Sequence, residues 1–143
     1  MPSPLQLNRR FRWGLYAIFG VLFLTGSTWL IADYLKDSTN GEFWQGAAAS
    51  LLMVHGGAAM IVLLMLGALI PAHIARTWRA RINRITGSIM IGLNSTLILT
   101  AFGLYYFGSE TLRPWISDTH IVVGFILPPA LFLHIWLGRR RVQ

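Results

Sequence analysis

"SLLMVHGGAAMIVLLMLGALIPAHI", residues 50–74, decides the fold: a run of hydrocarbon-soluble side chains long enough to cross a bilayer that nevertheless carries two imidazoles, His55 and His73. A helix needs about 20 apolar residues to span the hydrocarbon. Three further runs of that length lie along the chain, so the sequence predicts helices over about 13–35, 46–72, 85–107 and 118–138. Of the 143 residues, 55% are hydrophobic and only 12% charged, too apolar a balance for a soluble domain of this size. Strands of about ten residues with alternating polarity are missing, which argues against a membrane barrel. Helices satisfy every backbone group within their own segment. The expected fold class is therefore all-α integral membrane. It is expected as one domain over residues 1–143, a four-transmembrane-helix bundle running up-down-up-down because its connections are short.

Charge orients the chain. Arg9, Arg10 and Arg12 precede helix 1; Arg76, Arg79, Arg81 and Arg84 lie between helices 2 and 3; Arg139, Arg140 and Arg141 follow helix 4. The positive-inside rule makes both termini and the middle loop cytoplasmic. The acids Asp33, Asp37, Glu42, Glu110 and Asp118 all fall on the other side. The net charge of +7 then reads as topology and headgroup contact, and not as a nucleic-acid patch. The opening "NRRF" has the paired arginines of a twin-arginine signal. With a long apolar run after it and no A-x-A site, an uncleaved first helix is expected.

With no cysteine, disulfides, thiolate zinc sites, iron–sulfur clusters and covalent c-type haem attachment are all excluded. Any haem must then be held without a covalent tether, and the candidate ligands are the four histidines, His55 and His73 on helix 2 and His120 and His134 on helix 4. His55 and His73 are eighteen residues apart, five turns at about 100° per residue, so a regular helix presents both on one face. His120 and His134 are fourteen apart, just short of four turns, and share a face to within about 40°. Helices 2 and 4 run in parallel in such a bundle, which pairs His55 with His120 toward the outside and His73 with His134 toward the inside. Two bis-histidine haems need that arrangement, one axial nitrogen from each helix. The separations, about 27 Å on helix 2 and about 21 Å on helix 4, do not match. Helix tilt and distortions at Pro71 and at Pro128-Pro129 are expected to absorb the difference.

Each histidine also has an ordinary reading. His73 lies beyond Pro71 among basic interfacial residues, and His120 lies near a helix start. His55 and His134 are deeper, where an ionisable group is costly and usually functional. Gly56, Gly57, Gly124 and Gly138 leave room beside the histidines for a flat macrocycle, although glycine also serves close helix packing. Arg76, Arg79 and Arg81 suit the carboxylates of an inner haem, and Arg113 with Trp115 those of an outer one. Asn94, Ser95 and Thr96 are candidates to bond a histidine's second nitrogen or to join helices. Met53, Met60, Met65 and Met90 are read as packing, and the ligand set as bis-histidine. Ser117 or Asp118 is the expected cap of helix 4.

This pattern resembles the four-helix, di-haem b-type membrane cytochromes, a prokaryotic superfamily that includes the cytochrome b subunits of hydrogenases and formate dehydrogenases. The resemblance covers nearly the whole chain and is carried most by "THIVVGFILPPALFLHIW", with His120 and His134 fourteen residues apart. The chain departs from many members in drawing no histidine from helix 1. The resemblance implies two non-covalent haem b groups ligated by His55, His73, His120 and His134. It also implies a place in the bacterial inner membrane, quinone as one partner and a periplasmic c-type redox protein as the other, within a larger complex.

Three functions are open at this level. The first is a transmembrane electron carrier. The second is an oxidoreductase exchanging electrons between quinone and a small molecule such as superoxide at an outer haem, for which Arg113 and Lys36 are the available cations. The third is a haem-free membrane subunit or small transporter, against which the lack of intramembrane carboxylates argues in its proton-coupled form.

Overall fold

The computed structural model describes residues 7–140, and all of its regular structure there is helical. Helix α1 spans Arg9–Leu35 and α2 spans Gly41–Leu69; a π-helical turn, Ile70–Ile74, leads into the short α3, Ala75–Arg79; α4 spans Arg84–Tyr106 and α5 spans Leu112–Arg140. Four stretches are long and apolar enough to cross a membrane: Arg9–Leu35, the continuous run Gly41–Arg79, Arg84–Tyr106 and Leu112–Arg140. Large apolar side chains line the outside, with Leu64 77% and Ile85 80% exposed, while no polar or charged side chain among the described residues is buried. That inversion suits a protein whose solvent is hydrocarbon.

Helices α1 and α5 extend past the apolar runs to polar residues that cap them. Asn8 caps α1, its side chain accepting from the Arg10 N–H at 2.9 Å and its carbonyl from Arg12 N–H at 3.0 Å. The helix therefore begins four residues before Trp13. At α5 the expected cap is wrong. Ser109 supplies it: its carbonyl accepts from Arg113 N–H at 3.0 Å and its Oγ from Leu112 N–H at 3.3 Å. Ser117 and Asp118 lie inside α5, and Pro114 falls in its first turn, where a missing N–H costs little. Helix 2 likewise starts at Gly41, not near residue 46. Arg141 lies outside the described residues.

The contacts form two compact units, Met1–Ala75 and Arg76–Gln143. In the first, α1 and α2 make an antiparallel hairpin closed by Lys36–Asn40, with Ser38 N–H on Leu35 O at 3.0 Å and Gly41 N–H on Ser38 O at 2.9 Å. A Cβ at Gly41 would overlap the Lys36 carbonyl oxygen, so the turn requires glycine there. Lys36 pairs with Asp33 at 2.9 Å, which holds the exposed ammonium protonated above its ordinary range. Leu15 and Ala32 of α1 and Ala58, Val62 and Leu69 of α2 form the buried seam.

In the second unit α4 and α5 form another hairpin, with Leu127 buried and Gly103 against Ile116. Ahead of it α3 ends in a Schellman turn. Ile82 N–H bonds Thr77 O at 3.1 Å and Arg81 N–H bonds Trp78 O at 3.2 Å, with Arg81 left-handed at φ 56°. Arg84 completes this cap through Nε and Nη2 to Trp78 O, at 3.2 and 2.8 Å, with its guanidinium over the Trp78 ring. Asn83, also left-handed at φ 51°, then starts α4. In each hairpin the acids gather toward the closed tip and most of the arginines toward the open end, Arg113 being the exception at the tip of the second hairpin.

Candidate histidine site

All four histidines are half-buried, and three of them meet a threonine on the neighbouring helix. In the first unit His55 Nδ1 lies 3.0 Å from Thr25 Oγ1. One residue along α1, a Cβ at Gly26 would stand 3.2 Å from His55 Cε1, so the missing side chain opens the place the ring occupies. In the second unit His120 Nδ1 lies 2.8 Å from Thr100 Oγ1 and His134 Nδ1 lies 3.0 Å from Thr86 Oγ1. Each threonine is itself tied to its own helix. Thr25 Oγ1 donates to Val21 O at 2.7 Å, Thr100 Oγ1 to Thr96 O at 2.7 Å, and Thr86 Oγ1 to Asn83 O at 3.3 Å.

His73 stands on the π turn with Pro71. Proline lacks the N–H that an α-helix requires and its ring crowds the carbonyl four residues back, and a π turn accommodates both. The expectation that His55 and His73 leave one face assumed an unbroken α-helix. Residues in a π turn advance by less than about 100° each, so His73 is set back from that face by up to about one residue step. Pro128-Pro129, by contrast, sits within the α-helical run of α5.

The supporting residues separate in a similar way. Asn94 Nδ2 donates to Met90 O at 2.8 Å and Thr96 Oγ1 to Gly92 O at 3.0 Å, each on its own helix. The hydroxyls of Thr25, Thr86 and Thr100 reach imidazoles, and Gly26 lies against a ring. Sequence reasoning missed all four. A Cβ at Gly57 or Gly124 would meet nothing within 4 Å, and one at Gly138 would stand 3.3 Å from Asn83 Nδ2. Arg113 Nη1 caps α4 by donating to Leu104 O at 2.9 Å. Arg76 and Arg79 are exposed in α3. Arg81, Asn83, Arg84, Ile85, Thr86 and Leu137 line a cavity of about 330 Å³ at the basic end of the second unit.

Among the described residues no three His, Asp or Glu side chains converge as a metal-chelating cluster. What these units offer is single imidazoles in apolar helices, three of them held against a threonine of the neighbouring helix. That donor set suits a metal already held in a macrocycle, which needs only axial nitrogens from the protein. No protein-family model, curated protein or solved structure matches this chain.

Proposed function

We propose that this chain is a di-haem b-type cytochrome that carries electrons across the bacterial inner membrane. Its termini are cytoplasmic, and His55, His73, His120 and His134 are the axial ligands. The observation that carries the reading is the repeated histidine–threonine contact: three imidazoles inside apolar spans are oriented through Nδ1 by a hydroxyl on the adjacent helix. A histidine serving only as interfacial filler does not need such orientation, whereas a ligand does. Gly26 supports it further, since even a methyl group there would crowd the His55 ring.

Haem, when bound, supplies one-electron redox chemistry at a potential tuned by its ligands and burial. The chain's own residues orient the ligands and exclude water from them. Arg76, Arg79 and Arg113 are placed in this reading beside haem carboxylates. Quinone is the electron partner within the membrane in this reading. A periplasmic c-type redox protein and a larger membrane complex complete the proposal.

The test is a dithionite-reduced minus oxidised spectrum of the detergent-purified chain, with haem extracted and counted per chain. Two non-covalent b haems are expected, falling to one in His55→Ala or His120→Ala. A colourless protein from haem-replete cells overturns the proposal.

A further inference from the structure

A threonine hydroxyl has one proton to give. Thr100 Oγ1 stands 2.7 Å from Thr96 O and 2.8 Å from His120 Nδ1. A carbonyl oxygen accepts hydrogen bonds and never donates them. Both contacts are hydrogen bonds only if the hydroxyl proton goes to the carbonyl and Nδ1 carries a proton of its own toward Oγ1. Thr25 has the same spacing, 2.7 Å from Val21 O and 3.0 Å from His55 Nδ1, with the Leu22 carbonyl as a second acceptor beside the His55 ring. Thr86 repeats it more loosely, 3.3 Å from Asn83 O and 3.0 Å from His134 Nδ1.

We infer that Thr25, Thr86 and Thr100 are positioning residues that hold His55, His134 and His120 as the Nδ1–H tautomer, dedicating Nε2 to metal ligation and setting how strongly it donates. A neutral imidazole has a single N–H, so fixing it on Nδ1 leaves the lone pair on Nε2. The Nδ1–H bond to an acceptor draws the ring toward imidazolate, which makes Nε2 more basic and favours the more oxidised metal ion. Carboxylates often take this role, but a buried carboxylate in a bilayer is costly. A hydroxyl whose proton is committed to its own helix supplies an acceptor without a charge. Because each threonine lies on the neighbouring helix, hairpin packing fixes the plane of the ring together with its tautomer.

The inference rests on the proposed function for the identity of the metal, and on hydrogen-bond geometry alone for the tautomer. Two measurements separate these. The first is a long-range ¹H–¹⁵N correlation spectrum of the full chain, labelled at histidine, made in haem-deficient cells and held in lipid nanodiscs at pH about 8, above the ordinary imidazole range. His55, His120 and His134 are expected with Nδ1 protonated and Nε2 not. Thr100→Val is expected to release His120 into both tautomers, while Thr100→Ser keeps one. An Nε2–H tautomer for His120 in the unaltered chain, or an unchanged tautomer in Thr100→Val, overturns the inference.

The second is a redox titration of the haem-loaded chain. Thr100→Val is expected to move one component to a more positive potential with haem content unchanged, and Thr100→Ser to leave it in place. Retained haem with no shift overturns the tuning role. If Thr100→Val does not accumulate, Thr25→Val against Thr25→Ser gives the same comparison at His55. A chain that takes up no haem sinks the proposed function while the tautomer measurement still decides this inference. A haem-loaded chain whose haem-free form samples both tautomers sinks this inference alone.

Discussion

Thr100 on α4 and His120 on α5 meet at 2.8 Å, and fourteen residues away along each helix Thr86 and His134 meet at 3.0 Å. Equal steps in opposite directions show that one antiparallel register governs the whole α4–α5 hairpin. The first unit behaves alike: Thr25 meets His55, and farther from the turn a Cβ at Gly14 would lie 3.6 Å from Met65 Cε. Ring orientation in both units is thus a property of hairpin register.

That register is open to a direct check, because the chain has no cysteine of its own. A Cβ at Gly103 would lie 3.3 Å from two side-chain atoms of Ile116. Cysteines at these two positions fall within reach of a disulfide. Gly103→Cys/Ile116→Cys is expected to cross-link on mild oxidation, read as a faster-migrating band lost on reduction. Moving the second cysteine by two residues along α5 turns it to another face and is expected to prevent the link.

Gly26 is expected to be intolerant of enlargement. A methyl there would stand 3.2 Å from His55 Cε1, so the ring must shift by a few tenths of an ångström and lengthen its bond to Thr25. On the proposed haem ligation by His55, Gly26→Ala is expected to keep the fold and move the reduction potential of one haem, and Gly26→Leu to lose that haem. The spectrum and haem count check both, and full haem content in Gly26→Leu would remove His55 from the ligand set.

Gly41→Ala tests the turn without touching the histidines. The added Cβ overlaps the Lys36 carbonyl oxygen, and backbone cannot rotate away as a side chain can. Overpacking of this kind costs about 1–3 kcal/mol. A lowered melting temperature in detergent, with unchanged absorption of the remaining folded protein, is the expected result.

The four spans were legible in the sequence because length and apolarity are what a bilayer demands of a helix. Their ends were not, because Asn8 and Ser109 cap helices in polar stretches where hydropathy gives no signal. Residues 41–45 look like loop and fold as helix for the same reason. This error hid the threonines. Which residue of α1 faces His55 depends on where the turn begins, and a polar stretch of uncertain length leaves that register undefined. A signal was nevertheless present in the second unit: Thr86 and Thr100 are spaced fourteen apart, as are His120 and His134. Pro71 announced a distortion, but the kind of distortion was a matter of three-dimensional accommodation.

The π turn gives the last prediction. Proline at position 71 blocks the ordinary α-helical bond, and Ile70–Ile74 widens to accommodate it, with His73 on the widened turn. Pro71→Ala restores the missing donor and removes the ring clash, so the turn is expected to tighten to α-helix. Tightening advances His73 around the axis by up to about one residue step. If His73 is a ligand in its π-turn position, Pro71→Ala is expected to raise thermal stability while shifting or bleaching one haem component. The component that depends on His55 stays in place, since the Thr25–His55 contact lies more than three turns away along α2. Spectra of Pro71→Ala and His73→Ala that disturb the same component would assign His73 to it. An unchanged spectrum in both would leave His73 as an interfacial residue beside the arginines of α3.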